Sequence, residues 1–122
     1  MYQLEIDTAR NILRLTFSKL VDETQAQSYC QRVEAALAHL QPGFRLLTDL
    51  TDLVEMDYDC APEIRAVMDL CQTKGVAAVV RVIPDPKKDI GFKVMSYFHY
   101  GQEVPIVTVE TLMEAEEKLA AN

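Results

Sequence analysis

Polar and apolar positions alternate at the start of the chain. Leu4 and Ile6 lie between Gln3, Glu5 and Asp7, and after Thr8–Asn11 come Leu13, Leu15 and Phe17, separated by Arg14 and Thr16. A period of two marks a strand with one buried face, so these runs predict an N-terminal hairpin. From Asp22 the period lengthens, and Ala26, Cys30, Val33, Leu37 and Leu40 fall on one face of a helix. Asp22 stands at the N-cap, Gln25 where a capping-box partner belongs, and Pro42-Gly43 stops the helix. Phe44–Leu50 predicts a third strand, followed by a polar loop and a second helix whose apolar face is Ile64, Val67, Met68 and Cys71. Gly75 closes that helix in the usual C′ role.

Val76–Ile83 is apolar except for Arg81, the pattern of an inner strand covered on both faces. Asp85-Pro86 makes an N-cap and N1 pair for a helix carrying Phe92, Met95 and Phe98 and closing at Gly101. Val104–Val109 follows as the last strand. Thr111 and Glu114 form a capping box before a short C-terminal helix with Leu112, Ala115 and Leu119 inward. The order is β-β-α-β-α-β-α-β-α: an α/β chain with a mixed five-stranded sheet and four helices, residues 1–122 forming a single domain. The tight first connection makes the first two strands antiparallel, and helices between the later strands make those parallel. A flavodoxin-like sheet would open with a strand and a helix rather than a hairpin. In this arrangement Arg14 and Arg45 sit on an outer sheet face with few helices left to cover it, from which a homodimer is expected.

Composition removes several function classes. A net charge of −7 opposes binding to a phosphate backbone, so no nucleic-acid partner is expected. The apolar runs are strand-sized, short of the ~20 residues that a membrane helix needs, and the N-terminal run lacks the basic start of a secretory signal. A soluble, cytoplasmic protein with reduced thiols is expected. Cys30, Cys60 and Cys71 are odd in number and lack CxxC or histidine spacing, so neither a disulfide framework nor a zinc site is indicated. Cys60 and Cys71 lie about 16 Å apart along a helix, beyond the reach of a disulfide.

Three groups of residues are candidate sites. Asp49, Asp52, Glu55, Asp57, Asp59 and Glu63 crowd the predicted loop after the third strand, at the sheet edge where open α/β folds bind ligands. The residues could serve a magnesium-dependent hydrolase, but each also has a capping or solvation role, with Asp59 as N-cap. No metal, cofactor or catalytic residue is assigned. Lys87 and Lys88 oppose the dipole at the start of the predicted helix from Asp85, a placement that suits an anion-binding site. Tyr97, Phe98, His99 and Tyr100 are too dense to face one way, which leaves Tyr97 and Tyr100 for a ligand pocket.

The order of elements, with Thr48-Asp49-Leu50-Thr51-Asp52-Leu53-Val54-Glu55-Met56-Asp57-Tyr58-Asp59, resembles the STAS domain of anti-sigma-factor antagonists. In that family the third strand runs through a Leu-Asp-Leu-Ser-like sequence to an apolar residue, an aspartate and then serines, one of them phosphorylated. Met56 and Asp57 match the apolar residue and the aspartate, while Tyr58 and Asp59 stand where the serines would be. The chain is therefore most similar to SpoIIAA-like variants lacking the phosphoserine. The resemblance implies a STAS-like fold and a non-catalytic regulatory module whose unknown protein partner is met by Asp57, Tyr58 and Asp59. A further likeness, to lipid-carrier domains of the CRAL-TRIO type, implies instead a carrier or sensor of a small apolar ligand.

Overall fold

A computed structural model describes residues 1–83 and 104–120. The N-terminal alternation becomes β1 (Tyr2–Asp7) and β2 (Ile12–Val21), paired antiparallel from Tyr2↔Phe17 to Asp7↔Ile12. The turn between them ends on Asn11 at φ 57°, a left-handed conformation that asparagine tolerates better than most residues. Asn11 also joins this turn to the next loop. Its Nδ2 donates to the Gln41 carbonyl at 3.1 Å, and the Gln41 N–H donates back to Oδ1 at 2.9 Å.

Helix α1 (Glu23–Leu37) starts where Asp22 Oδ1 accepts the Gln25 N–H at 2.9 Å. Only half of the expected capping box forms, because the Gln25 side-chain oxygen is buried without a hydrogen-bond partner. The helix buries Ala26, Tyr29, Val33, Ala36 and Leu37, whereas Cys30 is only half-buried. Tyr29 takes the central place, with its ring edge-on to Phe17 at 4.9 Å and to Tyr2 at 5.7 Å.

Strand β3 spans Arg45–Met56, reaching well beyond the predicted end at Leu50. After a 3₁₀ turn (Tyr58–Cys60), α2 (Ala61–Lys74) buries the four predicted residues and ends on Gly75 at φ 97°, where the Gly75 N–H bonds the Cys71 and Gln72 carbonyls. The Gly43 N–H, itself at φ 90°, donates to the Gly75 carbonyl at 2.7 Å, so the loops entering β3 and β4 are joined. β4 (Ala78–Val82) and β5 (Ile106–Val109) complete a sheet of order β1-β2-β3-β4-β5, parallel from β2 onward. Both are shorter than predicted. The helix expected from Asp85 to Gly101 lies outside the described residues, among which there are three α-helices.

The last, α3 (Leu112–Ala120), is capped as expected, the Glu114 N–H donating to Thr111 Oγ1 at 3.2 Å. Its partner face corrects the outer-face expectation. One core packs α1 and α2 on Leu13, Leu15, Phe17, Leu46, Leu50, Val79 and Ile83; a second packs Ala115 and Leu119 of α3 on Ile12, Leu47, Val80, Val82 and Val109. Arg14 and Arg45 lie beneath α3, not in the open. Arg14 forms a two-pronged ion pair with Glu116, one bond being Nη2 to Oε2 at 3.0 Å, and Arg45 donates to the Leu119 carbonyl. The pair raises the Arg14 pKa and lowers that of Glu116. Covering the face in this way removes the ground for expecting a homodimer through it. Leu112, predicted inward, is exposed.

Candidate functional site

The carboxyl end of the β2–β3 pair is built differently from its beginning. From Ile12↔Arg45 to Thr16↔Asp49 the strands advance in step; then Thr16 to Ser18 matches Asp49 to Asp52, and Lys19 to Leu20 matches Leu53 to Glu55. Each discontinuity gives β3 one extra residue, as a β-bulge does. At the first, Asp49 Oδ1 accepts the Thr51 N–H at 3.0 Å and its hydroxyl at 2.6 Å. At the second, Lys19 adopts φ 58°. Burial along β3 changes from a run into a period of three at Leu50, Leu53 and Met56, and turns Thr51, Asp52, Val54 and Glu55 outward. Val54 is 71% exposed and Leu20 on the neighbouring strand 45%.

Pairing ends where the Asp57 N–H donates to the Val21 carbonyl at 3.1 Å. The Cys60 N–H then bonds the Asp57 carbonyl at 3.0 Å, closing the 3₁₀ turn that leads into α2, with Pro62 in the first helical turn. This corrects the placement of Asp59 as N-cap. The chain is already helical through Cys60, and the extended residue before the turn is Asp57, whose side chain makes no capping bond. Asp59 is exposed, Asp57 half-buried, and Tyr58 projects with 73% of its surface in solvent. The predicted trio thus forms one turn at the sheet's carboxyl edge.

Beneath the turn lies Cys60, fully buried, its Sγ 3.5 Å from the Val21 carbonyl. Burial, followed by the charge of Asp57 and smaller contributions from Asp22 and Asp59, pushes its thiol up to about 11. Burial also pushes Cys71 up to about 12 and, with help from Glu63 and Glu34, raises Cys30. All three are held as thiols at neutral pH, the opposite of what a nucleophilic cysteine needs. The bonds from Asp57 and Cys60 to the Val21 carbonyl place the start of α1, capped by Asp22, beside the turn.

The six carboxylates read as one crowded loop are in fact divided: Asp49, Asp52 and Glu55 lie along β3, Asp57 and Asp59 flank Tyr58, and Glu63 is in the first turn of α2. Among the described residues no three metal-ligating side chains come together. Lys87, Lys88, Tyr97, His99 and Tyr100 lie outside the described residues. A different concavity is present, an open groove of about 710 Å³ between α1 and α2 floored by Cys30, Leu37, Ala66 and Leu70 and rimmed by Glu34, Asp69 and Lys74.

Sequence reasoning missed Leu20 and Val54. The signal was available in Leu20-Val21 and Leu53-Val54, each an adjacent apolar pair. Neighbours in a strand face opposite ways, so past the end of the covering helix one of each pair is left in water.

No protein-family model matches the chain, and no curated protein does. Solved structures do. The unphosphorylated form of the anti-sigma-factor antagonist SpoIIAA superposes with a TM-score of 0.72 at 15% identity, covering 100% of both chains. An uncharacterised DUF3478-family protein with a SpoIIAA-like fold from Shewanella loihica PV-4 gives 0.69 at 16% identity, covering 97% of this chain and 93% of that one. A putative anti-sigma-factor antagonist from Thermotoga maritima gives 0.65 at 17%, covering 98% and 94%. The chain therefore has the STAS, SpoIIAA-like fold.

Proposed function

We propose that the chain, over residues 1–122, is one non-catalytic STAS-like module that works in the cytoplasm by binding another protein. The observation that carries this reading is the end-to-end likeness of fold to SpoIIAA, an anti-sigma-factor antagonist, and to a second protein described as a putative one. Fold alone does not assign a task. The site adds support: Asp57, Tyr58 and Asp59 lie on the turn from β3 into α2, Tyr58 and Asp59 exposed, and the Cys60 thiol beneath it is protonated. Among the described residues no helix is long and apolar enough to cross a membrane.

Tyr58-Asp59 in place of the family's serines makes a serine phosphoswitch at this turn absent, with Asp59 supplying a permanent single charge where a phosphate would carry nearly two. The expected behaviour is binding that is always on or always off. Affinity capture from native lysate with the wild-type chain and with Asp59→Lys tests the reading. A protein retained by the first and lost by the second is the expected result. Recovery of no protein, together with a small molecule held in native mass spectrometry, would favour an apolar-ligand carrier, for which the groove between α1 and α2 is the described place to look.

A further inference from the structure

We infer that the carboxyl end of the β2–β3 pair is a docking surface for a basic protein segment with an apolar anchor, and that Leu20 and Val54 belong to it together with Tyr58. The inference rests on the interaction-module reading and specifies the chemistry of the partner. Two independent features support it.

The first is the imbalance of charge. Residues 19–23 and 52–59 contain Asp22, Glu23, Asp52, Glu55, Asp57 and Asp59 against Lys19, to which the Met1 ammonium, donating to the Ser18 and Leu20 carbonyls, adds one more positive charge. Both segments meet at one place, since the strands pair there and the Val21 carbonyl is bonded by the Asp57 N–H and the Cys60 thiol. Acids near the starts of α1 and α2 are favoured by the helix dipoles, which accounts for Glu23 and Glu63 but not for Asp52 and Glu55, exposed on a strand.

The second is the apolar surface within the acidic region. Val54, Tyr58 and Leu20 are among the most exposed large apolar side chains described, and Met1, held to β2 by the bond from the Ser18 N–H to its carbonyl at 2.8 Å, adds a fourth. A solvated acidic face has no use for them. Apolar groups surrounded by charge are the layout of a protein-binding patch, with the centre supplying burial and the rim setting polarity and approach. A second copy of this chain fits poorly, because it would bring the same carboxylates against each other, and an anionic lipid surface would be repelled.

Amide chemical shifts of the full chain, titrated with short peptides of defined chemistry, test the inference. A lysine–leucine peptide is expected to shift residues 19–23 and 52–60 selectively. Its affinity should fall about tenfold or more as ionic strength rises from about 0.05 to about 0.3 M, as expected for an interface steered by exposed charge. Val54→Ser should weaken it several-fold without altering the remaining spectrum, as should Glu55→Gln with Asp57→Asn. A glutamate–leucine peptide and a lysine–serine peptide should bind weakly. Equal binding of the glutamate–leucine peptide, shifts spread over every acidic residue, or indifference to Val54→Ser would overturn the inference. Lysate capture separates the two proposals: a partner lost with Asp59→Lys but indifferent to salt and to Val54→Ser refutes the basic, apolar-anchored partner and leaves the module standing.

Discussion

Strands β2 and β3 run side by side for their whole length, yet their two halves are different materials. The first half, Ile12–Thr16 on Arg45–Asp49, pairs without a break and is covered on both faces, by α1 and α2 on one and by α3 on the other. The second half, residues 17–21 on residues 50–56, takes in two extra residues and a left-handed lysine, and leaves Leu20 and Val54 in water. Regular pairing goes with stability because every side chain has a neighbour. Bulges bend and twist a strand and re-aim its side chains, which makes the irregular half the place where a surface can be shaped.

The sharpest way to break this contrast is to truncate one apolar side chain in each half. Leu15→Ala, in the regular half, is expected to cost about 2–5 kcal/mol, and Val54→Ala no more than about 0.5 kcal/mol, read from urea midpoints. Comparable costs would erase the distinction. The next effect appears only in alkali. Cys60 keeps its proton up to about 11 in the fold but releases it near 9.0 when unfolded, so its contribution is whole below pH 9.0 and is lost as pH rises through 11. Cys60→Ala should flatten the fall in stability between those values. Unchanged slopes would mean that Cys60 is not sealed beneath the turn.

Asn11 sharpens the comparison from the other end, since it holds the start of the regular half. Asn11→Ala removes two hydrogen bonds and a tolerated left-handed residue, for an expected loss of about 2 kcal/mol, whereas Asn11→Gly should recover only the backbone part. The smallest effect is expected at Lys19 in the irregular half. Lys19→Gly should stabilise by up to about 1 kcal/mol as the positive φ is relieved, partly offset by the freedom glycine adds to the unfolded chain. Destabilisation would show that the lysine side chain itself is needed there.

What could be read in advance follows the same division. The hairpin, the Asp22 and Thr111 caps and the Gly75 stop are local rules with residue-specific signatures, and the structure forms each of them. The continuation of β3 through Asp52 and Glu55 was not legible, because bulges destroy the period of two and polar residues then look like loop. Asp59 failed as a cap for a related reason: the 3₁₀ turn begins the helical path earlier than the aspartate. Arg14 and Arg45 read as surface because a charge has no sequence mark saying which helix will lie over it; their partners, Glu116 and the Leu119 carbonyl, are more than seventy residues away. The Asp57-Tyr58-Asp59 turn was found from a family pattern, while its apolar surroundings follow only from where the covering helices stop.

The ties among the lower loops, from Asn11 to Gln41 and from Gly43 to Gly75, set where this chain will accept foreign sequence. An insert at any of those loops would part backbone groups that depend on one another across the fold, and one cut there should loosen several elements at once. At the opposite pole the bulged stretch from Asp49 to Glu55 already accommodates two surplus residues without losing its pairing to β2. An insertion there is expected to cost the fold less than one in the lower loops.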